Sequence, residues 1–128
     1  MNYLIDTHAL IWYIQASDKL IQNVATTLED TENTLYFSIA SLWEIAIKLG
    51  LEKLKLDNSF HDLEELLKSL SIEILPITFA DTETYLCLPL HHRDPFDRIL
   101  IAQAMNRSLS IITADSAFDA YAVERLWL

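Results

Sequence analysis

Short apolar, β-prone runs alternate along this chain with helical stretches, and no other feature narrows the fold as much. Asn2 to Ile5, Thr34 to Ser38 (TLYFS), Ile72 to Leu75 and Ser110 to Thr113 read as strands, with a last one near Val123 to Trp127. Helical patterns fill the gaps. Thr7 to Gln15 comes first, then Lys19 to Leu28 with Ser17 or Asp18 as N-cap. Ser41 to Leu49 buries Leu42, Ile45, Ala46 and Leu49 as one stripe and ends at Gly50. Phe60 to Leu70 and Phe79 to Leu86 follow. Pro95 to Arg107 is introduced by Asp94 as cap and Pro95 at the first helical position, and a short helical turn precedes the last strand. Such alternation predicts an α/β open sheet with helices on both faces. No repeat, linker or low-complexity tract interrupts it, so residues 1–128 are expected to form one domain.

Composition removes several classes of function. The only glycine of the 128 residues is Gly50, whereas a phosphate-binding loop or dinucleotide fingerprint needs several, because the backbone must approach phosphate without a Cβ. The one cysteine, Cys87, excludes an intramolecular disulfide and fits a reducing compartment. The longest uncharged stretch, Asn33 to Trp43, is far below the ~18 residues that span a membrane. The N-terminus lacks a basic flank and meets Asp6 almost at once, unlike a signal peptide. A cytoplasmic location without membrane attachment is expected.

With 9 Lys+Arg against 19 Asp+Glu the formal charge is −10, a balance that normally argues against nucleic acid. The acid is unevenly spread, however. Asp57 to Glu83 holds seven acidic residues against one base, Lys68, while the remaining bases group around Lys48, Lys53, Lys55 and around Arg93, Arg98, Arg107.

Four acids fall where an open parallel sheet binds ligands, beyond the carboxyl ends of its strands. Asp6 closes the first strand, and Asp115 lies two residues past the Ser110–Thr113 strand. Glu44 and Asp97 lie in the first turns of their helices. Each has a structural reading too. Asp6 or Thr7 can cap a helix for ~1 kcal/mol, and Asp115 can cap the turn after its strand. Ser41-x-x-Glu44 is a capping box, Glu44 and Lys48 form an i,i+4 pair, and Asp97 near a helix N-terminus suits the dipole. Together they weigh differently. Two carboxylates at ~4 Å repel by roughly 4 kcal/mol at an effective dielectric of about 20, and a divalent cation reverses that sign. Oxygen-only donors select Mg²⁺ or Mn²⁺ over Zn²⁺. The chemistry such a site supports is phosphodiester hydrolysis by metal-activated water. Ser38 and Thr113, at strand ends, can orient a carboxylate or that water.

These residues resemble the PIN-domain nucleases, specifically the VapC-type toxins of type II toxin–antitoxin pairs. The matching pieces are LIDTHALIW at 4–12, SIASLWEIAIKLGLEKL at 38–54, LPLHHRDPFDRILIAQA at 88–104 and IITAD at 111–115. The resemblance implies a five-stranded parallel sheet and an Mg²⁺- or Mn²⁺-dependent endoribonuclease. Asp6, Glu44, Asp97 and Asp115 match the family's acidic quartet, and Thr113 its small hydroxyl position. A homodimer held inactive by an antitoxin is implied as well.

Around this framework Lys48, Arg93 and Arg98 are expected to contact the RNA backbone. His91 and His92 read as polar loop residues packing on a helix start. Trp43 and Ile47 lie off the apolar stripe of their helix, which suits a two-sided core helix or a groove for a partner helix. Other readings are a non-toxin RNA-processing PIN nuclease or a receiver-like Mg²⁺ module. The latter fits poorly, since Asp57 follows no buried strand and no lysine follows Ser110–Thr113. A phosphatase of the haloacid dehalogenase type would want an acid where His8 stands.

Overall fold

The β-branched and aromatic runs form the sheet that their pattern predicts. The structure is a computed structural model describing residues 1–127. Its strands are β1 (Asn2–Ile5), β2 (Thr34–Ser38), β3 (Ile72–Leu75), β4 (Ser110–Ile112) and β5 (Arg125–Leu126). They lie in the order β3-β2-β1-β4-β5, and every pair is parallel. β1 therefore sits between β2 and β4, with Leu4 opposite Tyr36 on one side and Ile111 on the other. Chain order reverses direction across β1, and the splayed connections on either side of it leave a crevice at its carboxyl end.

The helices are α1 (Thr7–Ile14), α2 (Gln22–Glu29), α3 (Ile39–Gly50), α4 (Leu63–Ser69), α5 (Phe79–Cys87) and α6 (Pro95–Arg107). Short 3₁₀ turns at Phe60–Asp62 and Ser116–Ala120 precede α4 and β5. Alternate residues of β1 feed two cores. Tyr3 and Ile5 pack with Leu10, Val24, Phe37, Ile45 and Leu67 on the face covered by α1 to α4. Leu4 packs with Leu100, Ile101, Ile111 and Phe118 on the face covered by α6. Among the described residues no helix is long and apolar enough to cross a membrane.

Three expected boundaries change for local reasons. α2 begins at Gln22 rather than Lys19, because Ser17 closes a turn instead: its hydroxyl accepts from the Lys19 N–H and its carbonyl from the Leu20 N–H, both at 3.2 Å. α3 begins at Ile39, since Ser38 already caps it by accepting from the Ala40 N–H at 3.0 Å. The expected capping box at Ser41 is therefore absent; Ser41 lies inside the helix, its buried hydroxyl unpartnered. Gly50 is the last helical residue and not a left-handed cap; Glu52 (φ 56) makes the left-handed turn. Ala46, expected in the buried stripe, faces solvent.

α5 docks in an unusual way, since its only buried residue is Asp81. That carboxylate accepts two bonds from the Arg107 guanidinium (2.7 and 3.0 Å), one from the Asn106 amide and one from the Thr78 N–H (both 2.9 Å). Burial alone would raise its carboxyl, but Arg107 and the N–H donors of Thr78 and Asn106 outweigh it and hold the group at about 2. A lowered carboxyl contributes stability that is complete above pH ~4 and lost as pH falls through about 2. Arg107→Ala leaves Asn106 and Thr78 in place, so the expected loss is about 2 kcal/mol. A lower urea midpoint with an unchanged m-value would register it.

Candidate active site

Each of the four acids is delivered by a different element to the carboxyl end of β1. Asp6 follows β1 directly, and its N–H bonds the Ile112 carbonyl of β4 at 2.9 Å, extending the ladder by one residue. Its carboxylate is clamped on both oxygens, by the Thr7 N–H at 2.8 Å and the Thr113 hydroxyl at 2.9 Å. Thr113 in turn accepts from the Asp115 N–H at 3.1 Å, so one hydroxyl ties the ends of β1 and β4 together. Glu44 projects from α3; its Oε1 accepts from the Thr7 hydroxyl of α1 and its Oε2 from Lys48 Nζ one turn along α3, both at 2.8 Å. Asp6 and Glu44 are buried.

Asp97 stands in the first turn of α6. Its helix is capped by Asp94, which accepts from the Phe96 N–H at 2.8 Å and more distantly from that of Asp97. Asp115 caps the turn after β4 by accepting from the Ala117 N–H at 2.9 Å. The helix-cap reading of Asp6, Asp94 and Asp115 is thus realised alongside their convergence.

Burial and then the charges of Asp6, Asp94, Glu44 and Asp115 push the Asp97 carboxyl up to about 8. Burial also raises Asp6, with Glu44 adding to it, against the hydrogen bonds from Thr113 and Thr7 and the charge of His8. A fold that assembles several carboxylates at this cost has one simple remedy, a divalent cation among them.

His92, which the sequence places near the site but favours as a loop residue packing on the helix start, joins the acids directly. Its Nε2 lies 3.1 Å from Asp97 Oδ2 and 3.2 Å from Asp115 Oδ2. Its Nδ1 accepts from the Asp94 N–H at 3.2 Å, so the hydrogen-bond network assigns the ring proton to Nε2, between the two acids. Ligand atoms of His92, Asp97 and Asp115 all lie within 4.8 Å of one another. With Nε2 protonated and Nδ1 already accepting, His92 offers no lone pair to a metal, so the donors are carboxylate oxygens, a set that fits Mg²⁺ or Mn²⁺. His91, by contrast, only packs its ring edge-on against Tyr121.

Other expected site residues fall elsewhere. Ser38 is fully buried as the cap of α3 and bonds no carboxylate, so it does not orient the quartet. Arg98 is buried, and this corrects its expected RNA contact. Its guanidinium donates to the carbonyls of Pro89 (3.0 Å) and Tyr85 (3.2 Å) and lies 4.8 Å from the Tyr85 ring. Lys48 is held by Glu44, and Arg93 is exposed in the loop before α6. Trp43 is 62% exposed, which excludes the two-sided core helix. It meets Phe96 edge-on at 5.3 Å and lines an apolar groove of about 330 Å³ with Ile77, Tyr85, Pro95 and Ile99.

A family model described as "PIN domain" matches residues 3–124. No curated protein matches the chain by sequence. Among solved structures it is similar to VapBC2 from Rickettsia felis bound to a DNA fragment from their promoter (TM-score 0.72, 18% identity, 98% of each chain covered). It is similar also to FitAcB from Neisseria gonorrhoeae (TM-score 0.69, 21% identity, 98% of this chain and 96% of that one). A toxin–antitoxin complex from Klebsiella pneumoniae gives a TM-score of 0.65 at 20% identity, with 98% and 96% covered. At these identities the likeness concerns the fold.

Proposed function

Because this chain belongs to the PIN domain family, we propose that residues 1–128 form one nuclease unit, a metal-dependent endoribonuclease that serves as the toxin of a toxin–antitoxin pair. The observation that carries this reading is the hydrogen-bonded chain Glu44–Thr7–Asp6–Thr113–Asp115–His92–Asp97, which links the four acids at the carboxyl end of β1. Structural likeness to a toxin–antitoxin complex and to VapBC2 supports the toxin role. The apolar groove beside Trp43 suits a helix of an antitoxin. We further propose a homodimer acting in the cytoplasm.

Asp6, Glu44, Asp97 and Asp115 would hold Mg²⁺ or Mn²⁺. When bound, such a cation supplies a nucleophile at neutral pH and stabilises charge developing on a phosphodiester. The chain's own residues do the positioning. Thr113 and the Thr7 N–H fix both oxygens of Asp6, leaving little rotational freedom. The Thr7 hydroxyl and Lys48 do the same for Glu44 from opposite sides. His92 presents its Nε2 proton at the more open edge, between Asp97 and Asp115. With Asp6 and Glu44 buried and Asp97 largely covered, Asp115 is the most accessible of the four acids to an approaching phosphate.

Cleavage of a mixed pool of structured RNAs with Mg²⁺ or Mn²⁺ tests the reading. Discrete cuts are expected, vanishing with EDTA and in the Asp97→Asn variant. Absence of both cutting and Mn²⁺ binding would reduce the four acids to structural groups.

A further inference from the structure

Few of the protein's cations are free to meet a polyanion. Arg107 is paired with Asp81, Arg125 with Asp119 and Lys68 with Glu65, while Arg98 is buried against carbonyls. Of the others, Lys19 and Lys53 line, with the Glu44-paired Lys48, a single cleft of about 370 Å³ that also takes in Thr7, His8 and Trp12. Among the described residues neither Lys19 nor Lys53 has a carboxylate within ion-pair distance.

This cleft also has an aromatic wall. His8 and Trp12 are one turn apart on α1, their ring centroids 6.1 Å apart and tilted by 45°. Trp127 meets Trp12 edge-on at 5.7 Å, and Lys19 Nζ lies 5.7 Å from the Trp12 ring centre. Thr7 and Lys48 belong at once to the cleft and to the Glu44 hydrogen-bond network, so the two sites are contiguous.

We infer that this cleft is the path of the RNA strand next to the scissile bond, with backbone phosphates on Lys19 and Lys53 and an unpaired base against Trp12 and His8. Cations beside an aromatic surface are what single-stranded nucleic acid binding requires, because lysine meets phosphate and any base has a π-face. A duplex keeps its bases stacked on each other and gains nothing from the wall, so the cleft selects a single-stranded segment. A net charge of −10 opposes RNA binding as a whole, and this concentration of lysines offsets that repulsion beside the acids. The inference rests on the nuclease reading and adds the chemistry of the substrate to it.

The test is binding of a fluorescently labelled, unstructured RNA 12-mer in EDTA, followed by anisotropy across a salt series. Lys19→Ala/Lys53→Ala is expected to weaken binding about tenfold at low salt and to reduce the slope of log K against log salt by about 1.4, two contacts' worth. Trp12→Leu, checked for a native melting profile, should weaken binding about tenfold with the slope unchanged. A lysine variant that binds like the parent, in a protein that still cuts RNA, overturns the cleft and leaves the nuclease intact. An unchanged Trp12→Leu variant removes the stacked base. Neither binding nor cutting by the parent protein overturns both readings.

Discussion

Asp97→Asn should raise the melting temperature of the metal-free protein and, in the same molecule, abolish Mn²⁺ binding. Burial and the neighbouring carboxylates push the Asp97 carboxyl up to about 8. An unfolded chain releases that proton near pH ~4. Between these values the folded protein binds more protons than the unfolded one, so unfolding free energy falls as pH rises. The penalty is absent below pH ~4 and complete above about 8. With solvent screening of a partly exposed side chain taken into account, it is about 2 kcal/mol, or roughly 8 °C in Tm. Scanning calorimetry at pH 6 and pH 8.5 in EDTA should find wild type less stable at the higher pH and the variant much less affected. Mg²⁺ should restore wild type at pH 8.5 and leave the variant unmoved. Cleavage should fall at least ~100-fold, since the remaining acids cannot replace a ligand. A variant that melts below wild type in EDTA would contradict the crowding on which this prediction rests.

Arg98→Met is expected to cost about 3 kcal/mol of stability, and not by loss of RNA contact. Its guanidinium is the hub of the segment that carries His92 into the site. It donates to the Pro89 and Tyr85 carbonyls, with longer contacts to those of Leu88 and His92 (both 3.5 Å). Tyr121 works beside it: its hydroxyl donates to the Pro89 carbonyl at 2.8 Å and accepts from the N–H groups of His91 and His92. Methionine keeps the apolar stem but leaves carbonyls in a buried place without a donor. Urea denaturation should show the loss directly. RNA binding by the remaining folded protein should keep its salt slope, whereas a slope lowered by ~0.7 would restore Arg98 to the phosphate-binding set.

The parts of the fold readable in advance are those whose signals are local. Asp94 and Pro95 mark the start of α6 because cap and first-turn proline act within three residues. The strands are legible because each is short and apolar, and the acids because they follow strands or open helices. Residues that draw their role from distant partners were not. Arg98 depends on carbonyls six to thirteen residues earlier and on Tyr121, and His92 meets Asp115 across 23 residues. Nothing in a His-His-Arg loop distinguishes the ring that enters the site from the one that packs on Tyr121. The lysine cleft gathers Lys19 with Lys48 and Lys53, which only the packing of α1 beside α3 brings together.

The docking of α5 has a mechanical consequence. A helix that buries no apolar side chain fully and shows Phe79 and Leu86 to solvent is held chiefly by the Asp81 network, so loss of that one network would favour its sub-global opening. Its last turn supplies the Tyr85 carbonyl, and the residue after it the Leu88 carbonyl, that hold Arg98. Opening of α5 would therefore slacken the loop that carries His92, although no residue of α5 touches the acids. Fluctuations of that one helix would then set how long the mouth of the candidate site keeps its shape.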